Sequence, residues 1–138
     1  MREIKFRAIT DNGQFIYGFI CPGGKISKKW YIVTQTNTYE IDIRTLGQYT
    51  GLKDKNGKEI YEGDIGYYPY DSEYDGNIPK GKNLWEVRWE GDMYMLYRGE
   101  GDHARYTGDG NCGDDPHYNK WEEFEIKGNI HQNPELLK

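Results

Sequence analysis

The chain has 138 residues, enough for one domain with its own core and no need of disulfide or metal staples. Eighteen Lys and Arg against 23 Asp and Glu give a net charge of −5, which argues against a broad phosphate-binding face. Thirteen Tyr, four Trp and four Phe, with 18 Gly at turn-like spacing, fit half-buried pleated surfaces and predict a mainly β chain.

Residues 2–8 alternate, with Ile4, Phe6 and Ala8 on one face and Glu3, Lys5 and Arg7 on the other. That pattern predicts a strand with one wet side. Asp11-Asn12-Gly13 is a turn signal, and residues 14–20 read as the returning strand, broken by Cys21-Pro22-Gly23-Gly24. Residues 30–34 and 39–43 predict a second hairpin around Gln35-Thr36-Asn37. A tight hairpin spans 47–62, and 64–68 continues as a strand. Residues 69–83, rich in Gly, Pro, Asp and Tyr, predict a long loop. A further hairpin is expected from 84–89 and 93–98 across Glu90-Gly91-Asp92, then a second long loop over 99–119. Residues 121–126 fit either a strand or one helical turn. Asn133 is a plausible N-cap with Pro134 at the first helical position, predicting a short C-terminal helix through Leu137.

The register of the 47–62 hairpin follows from charge. A two-residue turn at Asn56-Gly57 would set Lys55 opposite Lys58 and Asp54 opposite Glu59, and like charges facing across a ladder destabilise it. A three-residue loop, Lys55-Asn56-Gly57, instead faces Asp54 with Lys58, Lys53 with Glu59 and Leu52 with Ile60. It also places Asp54 first in a type I turn and Gly57 fourth, where a left-handed backbone is needed. The three-residue loop is the predicted register. Beyond it, Gly63 and Asp64 suit a turn into a core strand, since Asp64 can accept nearby backbone N–H groups.

Three blocks of this chain resemble the signature of the YopX-like proteins of bacteriophages and prophages. They are residues 2–8; Gly47, Gln48, Tyr49, Thr50, Gly51, Leu52, Asp54, Gly57, Ile60, Tyr61, Glu62, Gly63 and Asp64; and Gly128, Asn129, Asn133 and Pro134 with their neighbours. The resemblance spans nearly the whole chain and implies a single YopX-like domain over 1–138, with long loops near 69–83 and 99–119. It also implies a phage or prophage origin, and it brings no biochemical activity, because the family is one of unknown function.

Chemistry-bearing clusters are sparse. His103, Cys112 and His117 are separated by steps that do not match the paired spacing of zinc sites. The Asp109 to Asp115 run fails the calcium-loop pattern, with Asp114 where Gly is required and Lys120 where Glu is required. Glu62 and Asp64, two apart, form a carboxylate pair, but a turn-stabilising Asp64 explains them more simply. Ser27 and Ser72 lie in no nucleophile motif. Lys25, Lys28, Lys29, Trp30 and Tyr31 are the basic-aromatic cluster that a single-stranded nucleic acid could use; a Lys-rich loop beside core aromatics is favoured. Cys21 and Cys112 could pair, although without a secretory signal two cytosolic thiols are favoured.

The expected architecture is a small, partly open, SH3-like barrel or a β-sandwich. The expected role is a non-enzymatic phage accessory protein, in the cytoplasm of the bacterial host, acting by protein binding or self-assembly. Its partners would be copies of itself or a phage or host protein, with no membrane. Residues 67–74 and 93–97 are the expected contact stretches, and the signature residues are expected to be architectural. No catalytic residue, metal ligand or cofactor is assigned. The alternatives are a single-stranded nucleic-acid-binding β-barrel and a metal-dependent or carboxylate-based hydrolase.

Overall fold

A computed structural model describes residues 3–24, 28–67, 84–90, 93–97, 105–106 and 121–137. The chain divides into two compact units, Met1–Gly51 and Leu52–Lys138. It is mainly β, and helical turns among the described residues are short 3-10 turns at Trp121–Glu123 and Pro134–Leu137.

The first unit contains β1 (Phe6–Ile9), β2 (Phe15–Pro22), β3 (Trp30–Val33) and most of β4 (Thr38–Lys53). β1 pairs with both β2 and β4, β2 also pairs with β3, and β3 with β4, all antiparallel. The pairings therefore run in a cycle from β1 through β2, β3 and β4 back to β1. Closure needs strands that change partner part-way. β2 does so beside Gly18: Phe6 faces Gly18 from β1, whereas Val33 of β3 faces Phe19. A Cβ on Gly18 would lie 2.3 Å from the Val33 carbonyl oxygen, so only glycine fits there. β4 changes partner through a wide bulge, with Gly47 facing Arg7 but Asp42 facing Ile9. Thr45 holds the bulge: its hydroxyl donates to the Asp42 carbonyl at 2.6 Å and accepts the Ile9 N–H at 2.8 Å. Ala8, Ile32 and Ile41 form the buried centre, with Phe6, Ile16, Trp30 and Leu46 packed on it.

In the second unit β4 ends at Lys53 and β5 (Glu59–Tyr61) follows as its neighbour. The remaining strands are β6 (Asp64–Tyr67), β7 (Leu84–Glu90), β8 (Met93–Tyr97), β9 (Arg105–Tyr106) and β10 (Glu125–Asn129). They make an antiparallel sheet in the order β10-β6-β7-β8-β9. Ile60, Trp85, Val87, Leu96, Trp121 and Phe124 are its buried core, and Leu52 and Ile126 pack against it. Trp121 and Phe124 meet edge to face at 5.7 Å.

The mainly β expectation holds, with several boundaries moved. β2 runs through Cys21 and Pro22 instead of breaking there, and residues expected as two separate strands fuse into the 16-residue β4. Residues 121–126 are both alternatives at once, a 3-10 turn followed by β10. Arg105–Tyr106 forms a short strand inside the stretch expected to be irregular. The C-terminal helix is only a 3-10 turn. The remainder of 69–83 and 99–119 lies outside the described residues, as do His103, Cys112 and His117.

The hairpin loop is the three-residue one. Asp54 N–H donates to the Lys58 carbonyl at 2.8 Å, Gly57 N–H to the Asp54 carbonyl at 3.0 Å, and Gly57 has φ of 79°. An added Cβ at Gly57 meets nothing within 4 Å, so a substitution there carries a conformational cost and no clash. Gly57→Val is expected to lower unfolding free energy by about 2 kcal/mol, and Gly57→Asn by less than about 1 kcal/mol. Urea denaturation of the two variants checks this, and equal losses would count against the left-handed turn.

Candidate functional site

A carboxylate at the start of the three-residue turn organises the signature segment. Asp54 is only 6% exposed. One of its oxygens accepts the N–H groups of Asn56 and Lys58, both at 2.9 Å. The other accepts the N–H of Ile126 at 3.1 Å. The charge argument thus selected the correct turn, although Lys58 reaches the Asp54 carboxylate through its backbone amide. Lys55 N–H adds a bond to the Phe124 carbonyl at 2.9 Å.

These bonds fall on a vulnerable place. β10 is the edge strand of its sheet, and edges expose unpaired backbone groups. The signature turn supplies an acceptor for Ile126 and a donor for Phe124, so it covers that edge. Lys55 also holds Glu125 at 2.8 Å, and Lys127 holds it at 2.7 Å. Lys127 first, and Lys55 second, draw the Glu125 carboxyl down to about 2.

The second half of the signature meets the C-terminal block. The buried Asp64 carboxylate accepts the Tyr61 N–H at 2.8 Å, closing the turn through Glu62 and Gly63. Gly63, at φ 86°, donates to the Val87 carbonyl at 2.8 Å and accepts Ile130 N–H at 2.9 Å. Asp64 faces Asn129 across β6 and β10. The Asn129 side-chain oxygen accepts the N–H of His131 at 3.0 Å and of Gln132 at 2.9 Å. Asn133 does not cap the last turn with its side chain. Its oxygen turns back to the Asn129 N–H at 3.3 Å, and its carbonyl accepts from Leu136. A Cβ on Gly128 would lie 2.6 Å from that Asn133 oxygen, which ties Gly128, Asn129 and Asn133 into one packed turn. Pro134 opens the 3-10 turn on the exposed side.

The other signature residues are distributed by element. Gly47 and Gln48 face Arg7 and Phe6 across β4 and β1. Tyr49 and Thr50 are buried, with the Lys5 ammonium 5.2 Å above the Tyr49 ring, while Gly51 is exposed at φ 84°. Ile60 and Tyr61 are fully buried and Glu62 half-buried. Asp54, Gly63, Asp64, Gly128, Asn129 and Asn133 therefore gather in the second unit, and Gly47 to Gly51 belong to the first.

The basic-aromatic cluster is dispersed by its own packing. Lys28 is exposed, Lys29 sits 3.4 Å from Glu40, Trp30 packs on the first core and Tyr31 is half-buried. Lys25 lies outside the described residues. Among the described residues no group of three His, Cys, Asp or Glu is placed to hold a metal ion. The sequence reading overlooked Glu86, buried on β7 and bonded to Arg88 two positions on. Opposite charges at that spacing share a strand face, which was the available signal.

A sequence profile of the YopX protein family matches residues 5–138. The chain belongs to the YopX family. The chain is also similar to the crystal structure of protein EF1440 from Enterococcus faecalis, at 24% identity, complete coverage of both chains and a TM-score of 0.52. That likeness concerns the fold. No curated protein matches the chain.

Two outcomes follow from the geometry. Asp54→Ala strands the Ile126, Asn56 and Lys58 amides and is expected to cost about 3 kcal/mol in urea unfolding, with Asp54→Asn recovering part of it. A depressed carboxyl stabilises the fold above its unfolded range and loses that contribution as it protonates. The stability gap between wild type and Glu125→Gln should therefore be full at neutral pH and close as pH falls from about 4.5 towards 2. A gap that does not change with pH would contradict the ion-pair assignment.

Proposed function

We propose that this protein works by binding, with self-association as its main contact and no catalysis of its own. The supporting observation is the use made of its signature side chains. Asp54, Asp64 and Asn129, the polar groups best suited to chemistry, accept backbone N–H groups in turns of the second unit. A side chain engaged in this way builds the scaffold and leaves recognition to the outer surfaces of the sheets. On this reading the family signature marks a fold, and YopX members share an architecture rather than a reaction.

The resemblance to phage and prophage proteins supports an accessory role in a phage or prophage, acting in the host cytoplasm. No helix among the described residues is long and apolar enough to cross a membrane. Because the family match spans both compact units, we take them to serve as one family domain. A nucleic-acid role gains no support from the Lys29–Glu40 pair, which offsets the one cluster that would serve it.

Multi-angle light scattering at micromolar concentration tests the reading. The expected mass is a multiple of the 16.2 kDa chain, and a strictly monomeric mass would remove self-association.

A further inference from the structure

The tip of the signature turn is Asn56-Gly57, one of two Asn-Gly pairs in the chain. Glycine has no side chain to shield its nitrogen and no Cβ to restrict its backbone, so an asparagine before it is the one most open to attack by that nitrogen. Residues 55–58 are all exposed, and a Cβ on Gly57 would meet nothing within 4 Å. Asp54 holds the Asn56 N–H, but no hydrogen bond holds the Asn56 side chain among the described residues. The second pair, Asn12-Gly13, lies in a turn of the same form, with Gly13 N–H donating to the Thr10 carbonyl at 3.0 Å. There the Thr10 hydroxyl tethers the Asn12 amide oxygen.

We infer that Asn56 is a site of spontaneous deamidation, and that the reaction loosens the hold of the signature turn on β10. The Gly57 nitrogen attacks the Asn56 side-chain carbonyl carbon. A C–N bond forms to close a five-membered imide, the Gly57 amide proton passes to the departing nitrogen through water, and ammonia leaves. Water then opens the imide. Attack at the side-chain carbonyl gives aspartate, and attack at the main-chain carbonyl gives isoaspartate, whose backbone runs through the former side chain. The folded turn opposes the first step, because Gly57 N–H is engaged by the Asp54 carbonyl at 3.0 Å. That bond at an exposed tip must open, and it can open while Asp54 keeps Ile126. Both products set a new carboxylate two residues from the buried Asp54 carboxylate, where like charges repel. Isoaspartate also adds a backbone carbon between positions 56 and 57, which moves the Gly57 and Lys58 amides off their Asp54 acceptors. Asp54 and Lys55 bond Ile126 and Phe124, so the loss passes to the outer strand β10. The bonds of the Asn12 turn run instead between Thr10 and Gln14.

The test ages the full chain in warm, neutral buffer and follows both Asn-Gly pairs by peptide mass spectrometry, since each event replaces an amide by an acid. Methylation by a protein-isoaspartate methyltransferase marks the isoaspartate. Asn56 should convert faster than Asn12. Asp54→Ala, which frees the Asn56 and Lys58 amides, should speed the conversion of Asn56 about tenfold. Asn56→Gln should stop it and leave the circular dichroism spectrum unchanged, because that side chain is exposed and holds nothing. In aged wild type the Ile126 amide should exchange its hydrogen faster than in fresh protein, with the Ile60 amide unchanged, whereas aged Asn56→Gln should keep Ile126 protected. The wild-type and Asn56→Gln comparison decides the matter should Asp54→Ala fail to fold. Asn56 converting no faster than Asn12, or not at all, would overturn the inference. A converted Asn56 with Ile126 exchange unchanged would overturn it equally, as would a folded Asp54→Ala that shows no acceleration.

Discussion

A buried carboxylate survives only where its charge is met by donors, and Asp54 is met by three backbone amides. Two of these close its own turn. The third belongs to β10, 72 residues further along the chain. That single side chain therefore fixes a local loop and covers the edge of a sheet at the same time. The second unit depends on this arrangement because β10 is an outer strand whose amides would otherwise face water or another chain. Asp64 and Asn129 repeat the device at neighbouring turns, each accepting backbone N–H groups that a turn leaves without strand partners.

The first unit is organised differently. Its four strands pair in a cycle, which depends on two local irregularities, the tight passage at Gly18 and the bulge held by Thr45. β2 passes from β1 to β3 at Gly18, with residues 15–18 on the one and 19–22 on the other. Phe19 and Tyr17 of β2 stand exposed. In the second unit β8, one of the stretches expected to make contacts, pairs with β7 along its length and with β9 at Met95 and Leu96, and Leu96 belongs to the core.

Local chemistry was legible in the sequence and long-range pairing was not. The turn at Lys55-Asn56-Gly57 could be read because charge, burial and the positive φ of Gly57 all favoured one register. The role of Asp54 was only half visible: its place in the turn follows from spacing, whereas its bond to Ile126 depends on how the sheet is assembled. Asn133 showed the opposite failure. Asn before Pro is a helix-start pattern, but packing against Gly128 draws the side chain back to Asn129. β2 carried a signal that was passed over, since apolar residues at both parities from Phe15 to Cys21 mean either two buried faces or one exposed contact.

Amide hydrogen exchange followed by NMR tests most directly whether the signature serves the fold. If Asp54 and Asp64 are structural acceptors, the Ile126 and Tyr61 amides should exchange only through global unfolding, as slowly as core amides such as those of Ile60 and Val87. Ile126 and Tyr61 amides exchanging at the rate of open backbone, while the core stays protected, would contradict the account.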